Sequence, residues 1–149
     1  MMTAPLSRLP DPELQPEFYA SVPTKRLIAW IVDTLLIGLV GIVLLPLTGF
    51  LALFFLPLFY LIVGFLYRVV TIGAWSATPG MALMSIEFRR HDGHPFDGAH
   101  ALLHTLGFSV SVAFVLPQVI SVVLMATGAR GQGLTDVILG STAINRPIP

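Results

Sequence analysis

KRLIAWIVDTLLIGLVGIVLL, residues 25–45, decides the fold. Beyond Arg26 every position is apolar or small except Asp33 and Thr34. Its 21 residues, at ~1.5 Å rise each, match the ~30 Å hydrocarbon layer of a bilayer, so one membrane-crossing helix is predicted. A carboxylate on such a helix costs roughly 2.5–3.5 kcal/mol on insertion scales, so Asp33 is expected to face protein or water and to have a partner. Arg26 shares its face with Ala29, Asp33, Ile37 and Val40 at ~100° per residue. Arg26 and Asp33 are ~10.5 Å apart along the axis, and arginine leans toward the helix start, so they are not expected to pair directly.

The rest of the composition agrees. Hydrophobic residues make up 55% of the 149 and charged ones 11%, far below the ~25% of a soluble domain. A net charge of zero gives no basic field for nucleic acid, and none is expected as a partner. The absence of cysteine excludes disulfides and thiolate chemistry. The first 24 residues hold five prolines and three acids and no apolar core, so no cleavable signal is expected and the 25–45 helix is the first targeting element. Residues 1–23 read as a flexible, proline-punctuated arm, and 24–149 as one membrane domain.

Pro46-Leu47-Thr48-Gly49 is an uncharged turn into a second apolar run, 50–73. So short a link implies an antiparallel hairpin, and Pro57 is expected to kink its second helix. Thr78-Pro79-Gly80 begins a turn or a short capped helix through Met84. Ile86-Glu87-Phe88-Arg89 alternates with period two and runs into His91-Asp92-Gly93, a strand and turn or an irregular loop. From 99 to 106, Leu102, Leu103 and Leu106 oppose His100 and His104, an interfacial pattern. A third apolar stretch, 107–126, contains Pro117, and 134–144 suits a short helix or strand. The predicted fold is an all-α membrane protein: a transmembrane hairpin, a third apolar helix that is bent or re-entrant, and a short polar loop and strand region on the cytoplasmic side.

Lysine and arginine set the orientation. Three crossings with a cytoplasmic N-terminus place Arg8, Lys25, Arg26, Arg68, Arg89 and Arg90 inside, and Arg130 and Arg146 outside. A re-entrant third region places all of them inside. Charge favours the second arrangement. Length opposes it, because two full crossings need ~40 residues.

Folding the hairpin brings Arg68 opposite Ala29 or Asp33, with Gly64 allowing close approach. Arg68 is therefore expected either to pair with Asp33 or to snorkel toward the headgroups. Arg26-x-x-Ala29-x-x-x-Asp33, then Thr78-Pro79-Gly80, then Gly133-Leu134-x-Asp136-x-x-x-Gly140 resemble the RDD family of bacterial membrane proteins over about residues 23–146. The resemblance implies that Arg26, Asp33 and Asp136 are the arginine and two aspartates of that family. Met81 stands where a lysine is usual, and His104 where an arginine is usual. The resemblance also implies transport of an undefined ligand. Arg26 is then expected either to reach Asp136 at the membrane surface or to leave Asp136 as the cap of a terminal turn.

The buried charge seam, and the candidate ion or proton relay, is thus Arg26, Asp33, Arg68 and Asp136. Asp97, His100 and His104, with His91 and His94 nearby, offer a divalent-metal set. A solvated helix face accounts for them better, and no metal or other cofactor is expected. There is no Ser-His-Asp elbow, P-loop or GxGxxG, so an enzyme is not expected. The function expected is a transporter or channel component of a bacterial inner membrane, moving ions or another small ligand. So little protein encloses no pathway alone, so a homo-oligomer or a larger membrane complex is implied. The alternative is a non-catalytic accessory or assembly subunit.

Overall fold

The computed structural model describes residues 9–146; the part of the expected flexible arm at 1–8 lies outside them. Its elements in order are α1 (Val22–Leu44), α2 (Leu56–Trp75), α3 (Pro79–Leu83), β1 (Ile86–Arg89), α4 (Gly98–Ala113), α5 (Val115–Thr127), α6 (Leu134–Leu139) and β2 (Thr142–Asn145). The protein is an all-α membrane protein with one small sheet.

α1 and α2 form the hairpin, and both are long and apolar enough to span a bilayer. Their shafts meet small residue against aromatic. A Cβ on Gly41 would lie 2.3 Å from the Tyr60 ring, and the Tyr60 hydroxyl donates to the Gly38 carbonyl at 3.3 Å. The outward faces keep Leu35, Leu39, Leu61 and Leu66 exposed, as lipid-facing surfaces do.

The core lies at one end of the hairpin. Val22 and Ala29 of α1, Ile72 of α2, Met81 of α3, Ile86 and Phe88 of β1, Ala101 of α4 and Ala143 of β2 form one buried cluster. β1 and β2 pair antiparallel, with Phe88 opposite Ala143 and Arg89 opposite Thr142. The alternation read in the sequence holds: Ile86 and Phe88 are buried, while Glu87 and Arg89 are half-buried. The 134–144 segment supplies both a helix and a strand. Residues 9–21 pack onto this end as well: Asn145 of β2 donates to the carbonyls of Glu17 and Ala20, and Tyr19 is buried.

The third apolar stretch is two helices. α4 and α5 meet at extended Phe114, with 116° between them. Phe114, Val115 and Leu116 at this elbow are 63%, 77% and 70% exposed, so the tip is an apolar prong. β1 precedes the pair and β2 follows it, and the two strands are hydrogen-bonded to each other. The bent pair therefore leaves from and returns to the same end of the hairpin, the geometry of the re-entrant arrangement rather than of a third straight crossing.

Proline places the breaks, though not as a kink. Pro57 is the second residue of α2 and bends nothing, and Pro117 is the third residue of α5. A helix's first N–H groups have no partner within it, so a residue without an N–H costs least there.

The chain has no cysteine, so single cysteines report sidedness cleanly. Cysteines at exposed Glu13, His94 and Ala129 should react alike with a membrane-impermeant maleimide in intact cells, and oppositely to one at Thr48. Grouping of position 129 with 48 would restore a third crossing.

Candidate functional site

Asp33 lies eleven residues into α1 and is 1% exposed. Three donors meet it: the Tyr67 hydroxyl at 2.8 Å, the Thr78 hydroxyl at 2.5 Å and the Gly80 N–H at 2.8 Å. Thr78 also caps α3 by accepting from the Met81 N–H at 3.2 Å. The Thr-Pro-Gly turn thus docks the start of α3 on the carboxylate. Proline presets the first helical residue, and glycine lets the backbone approach: a Cβ on Gly80 would lie 2.3 Å from the Ala29 carbonyl oxygen.

The expected Asp33–Arg68 ion pair is absent among the described residues. The reason is azimuthal. The face of α2 that meets α1 carries Tyr60 and Tyr67, so Arg68, ~100° further round, turns toward α4. Its guanidinium carbon lies 4.0 Å from the centroid of the Phe108 ring. Tyr67, which the sequence reading passed over, takes the place given to Arg68; its spacing of seven from Tyr60 was the available signal.

Asp136 is fully buried. Arg26 donates to it at 2.5 Å, the His104 Nε2 lies 2.9 Å away, and Ser141 donates at 3.2 Å. It also accepts the Gly133 N–H at 3.0 Å. Asp136 therefore pairs with Arg26 and caps α6 at once, so both alternatives read from the sequence hold together. An ionised carboxylate only accepts, so the His104 Nε2 carries a proton. Burial alone would raise the carboxyl pKa, but the Arg26 charge and the hydrogen bonds of His104 and Arg26 outweigh it and hold the group well below the usual carboxylate range. Phe88 of β1 underlies both donors, 5.5 Å from the Arg26 guanidinium carbon and 4.4 Å, ring to ring, from His104.

His104 is thus no part of a solvated face: it is buried, in the position where the resemblance leads one to expect an arginine. Asp97 and His100 stay at the start of α4, where Asp97 caps the helix. Its carboxyl is held down to about 2, first by the His100 backbone N–H and then by the His100 ring. Among the described residues, no three His, Asp or Glu side chains converge as a metal set.

A cavity of about 510 Å³ lies between the hairpin and the re-entrant pair. Its lining includes all four seam residues, Arg26, Asp33, Arg68 and Asp136, with Ser111 of α4 and Gln118 of α5. The four are therefore brought to one space, although Asp33 and Asp136 are held by separate sets of donors.

Two outcomes are expected in detergent. Gly80→Ala forces the α3 turn away from Ala29 and Asp33 and should destabilise by about 1–3 kcal/mol or more, as overpacking does, read as a fall in Tm. Asp136→Asn should cost ~3–5 kcal/mol at neutral pH, the range for breaking a buried pair. The fold favours the ionised form, so this stabilisation is present above the ordinary carboxylate pKa and fades below it. The gap between wild type and Asp136→Asn should accordingly narrow below about pH 4; a gap independent of pH would show that the charge of Asp136 contributes nothing.

No match was found among curated proteins or among solved structures. The RDD family matches residues 20–140, a span running from just before α1 through α6 and holding Arg26, Asp33, the Thr-Pro-Gly turn and Asp136. The chain belongs to the RDD family.

Proposed function

We propose that this is a non-enzymatic transporter or channel component, with ions or another small polar ligand passing through the cavity between the hairpin and the re-entrant pair. One observation carries the reading: the four seam residues, spread over the sequence from 26 to 136, line a single cavity of about 510 Å³. Charged side chains within membrane-spanning segments are costly, and where they line a cavity they mark a path for polar matter. Re-entrant helices with an extended break are likewise the usual lining of such a path.

The hairpin and one bent pair do not enclose a continuous pathway, so the reading includes assembly of several copies or a partner subunit. It also includes placement in a bacterial inner membrane with the sheet end cytoplasmic. Seven of the eight Lys and Arg residues, all but Arg8, lie within the described residues. They sit at the sheet end or, for Arg68, in the adjoining half of the hairpin, which the positive-inside tendency assigns to the cytoplasm.

Purified protein in liposomes should pass protons or small ions above the rate of empty vesicles. Gln118→Trp, which fills the cavity from its α5 wall, should lower that flux at least tenfold with little change in Tm. No flux of any probe above empty vesicles would overturn the reading.

A further inference from the structure

Arg68 is the one seam charge that the fold does not consume. Asp33 is met by three donors, and Asp136 by Arg26, His104, Ser141 and a backbone N–H. Arg68, by contrast, has the Phe108 ring against its guanidinium, which among the described residues makes no hydrogen bond or ion pair; the charge of Asp33 acts on it only from beyond ion-pair distance. An aromatic face attracts the charge of a guanidinium but accepts none of its five N–H groups in any strength. Those donors line the cavity unanswered.

They have company. Ser111 is buried and Gln118 half-buried; both line the cavity, and neither side chain is hydrogen-bonded among the described residues. The cavity thus offers unused donors from α2, α4 and α5, while both of its carboxylates are occupied. Arg26 on the same wall is already paired with Asp136, so the Arg68 guanidinium is the cation left to meet a ligand. A ligand for such a space is rich in acceptors and negative. A carboxylate presents two oxygens in one plane, whereas a phosphate group presents oxygens in several directions, suited to donors arriving from three helices.

We propose that the cavity is a phosphate-binding site in which Arg68 anchors the oxyanion and Ser111 and Gln118 donate to it. Leu27 and Trp30 of α1 and Val122 and Met125 of α5 also line it and are exposed, apart from half-buried Met125. The phosphate therefore fits either as the headgroup of an anionic phospholipid, with its chains along this apolar side, or as a free anion. The inference shares its cavity with the transport reading but concerns equilibrium binding. Binding without flux would overturn transport alone, and flux without phosphate binding would overturn this assignment alone.

The test is titration of the purified protein, in a neutral maltoside detergent, with inorganic phosphate, with dioctanoyl phosphatidylglycerol, and with dioctanoylglycerol as the phosphate-free control. At least one phosphate probe should bind saturably and raise Tm. Arg68→Met should weaken that binding at least tenfold, and Gln118→Leu several-fold, with dioctanoylglycerol unaffected by either change. Saturation by inorganic phosphate assigns a free anion; saturation by phosphatidylglycerol alone assigns the headgroup. No saturable binding of either phosphate probe, or binding equal in wild type and Gln118→Leu and Arg68→Lys, overturns the proposal. The last two variants keep it decidable if Arg68→Met does not fold.

Discussion

The carboxylate of Asp33 is the constraint on which the rest of this structure depends. A charge at that depth of α1 survives only when fully met by donors, and its donors come from α2 and from the turn that opens α3. Satisfying one side chain therefore fixes the hairpin, the start of α3 and, three residues past α3, the place of β1. Ser76 continues the same logic at the end of α2: its hydroxyl donates to the Phe88 carbonyl at 2.6 Å and accepts the Phe96 N–H at 2.8 Å. The strand that carries Phe88 is thereby set against α1 and beneath Arg26.

Asp136 repeats the device from the other end of the chain. Through Arg26 it ties α6 to α1, and through His104 it ties α6 to α4. The re-entrant pair is consequently closed at its base by a buried ionic cluster, while its elbow is covered only by apolar side chains. Two acids saturated by donors, and one arginine whose guanidinium meets no hydrogen-bond acceptor among the described residues, are the polar outcome. A core of apolar residues would have served stability as well or better, since buried ion pairs seldom stabilise relative to packed hydrophobic groups. What the charges add is a polar lining in a space that lipid chains would otherwise fill.

Much of this was legible in the chain, because the signals were periodic or chemical. The spans followed from unbroken apolar length and the α3 cap from Thr-Pro-Gly, while β1 was one of two readings of an alternating stretch and the Arg26–Asp136 pair one of two roles open to Asp136. What escaped depended on azimuth. Depth along a hairpin can be counted from its turn, but whether Tyr67 or Arg68 faces Asp33 is a ~100° question, decided by which α2 face packs on α1. His104 escaped for a related reason. One polar face of α4 holds both His100, at the surface beside Asp97, and His104, buried beneath α6, and the difference arises only once α6 folds back over the helix.

The elbow shows why the prolines fall where they do. A helix begins with four N–H groups that lack partners inside it, and in hydrocarbon each costs several kcal/mol. At α5 these belong to Phe114, Val115, Leu116 and Pro117. Phe114 donates back to the Val110 carbonyl of α4 at 3.2 Å, and Pro117 has no N–H to satisfy, so half of the demand disappears. The donors of Val115 and Leu116 still require something polar. Interrupted backbone at membrane depth is tolerated where it borders a cavity, and Gln118, the residue after Pro117, lines this one. The cavity thus reaches the first turn of α5 at Gln118, while Phe114, Val115 and Leu116 at the break itself form the exposed tip.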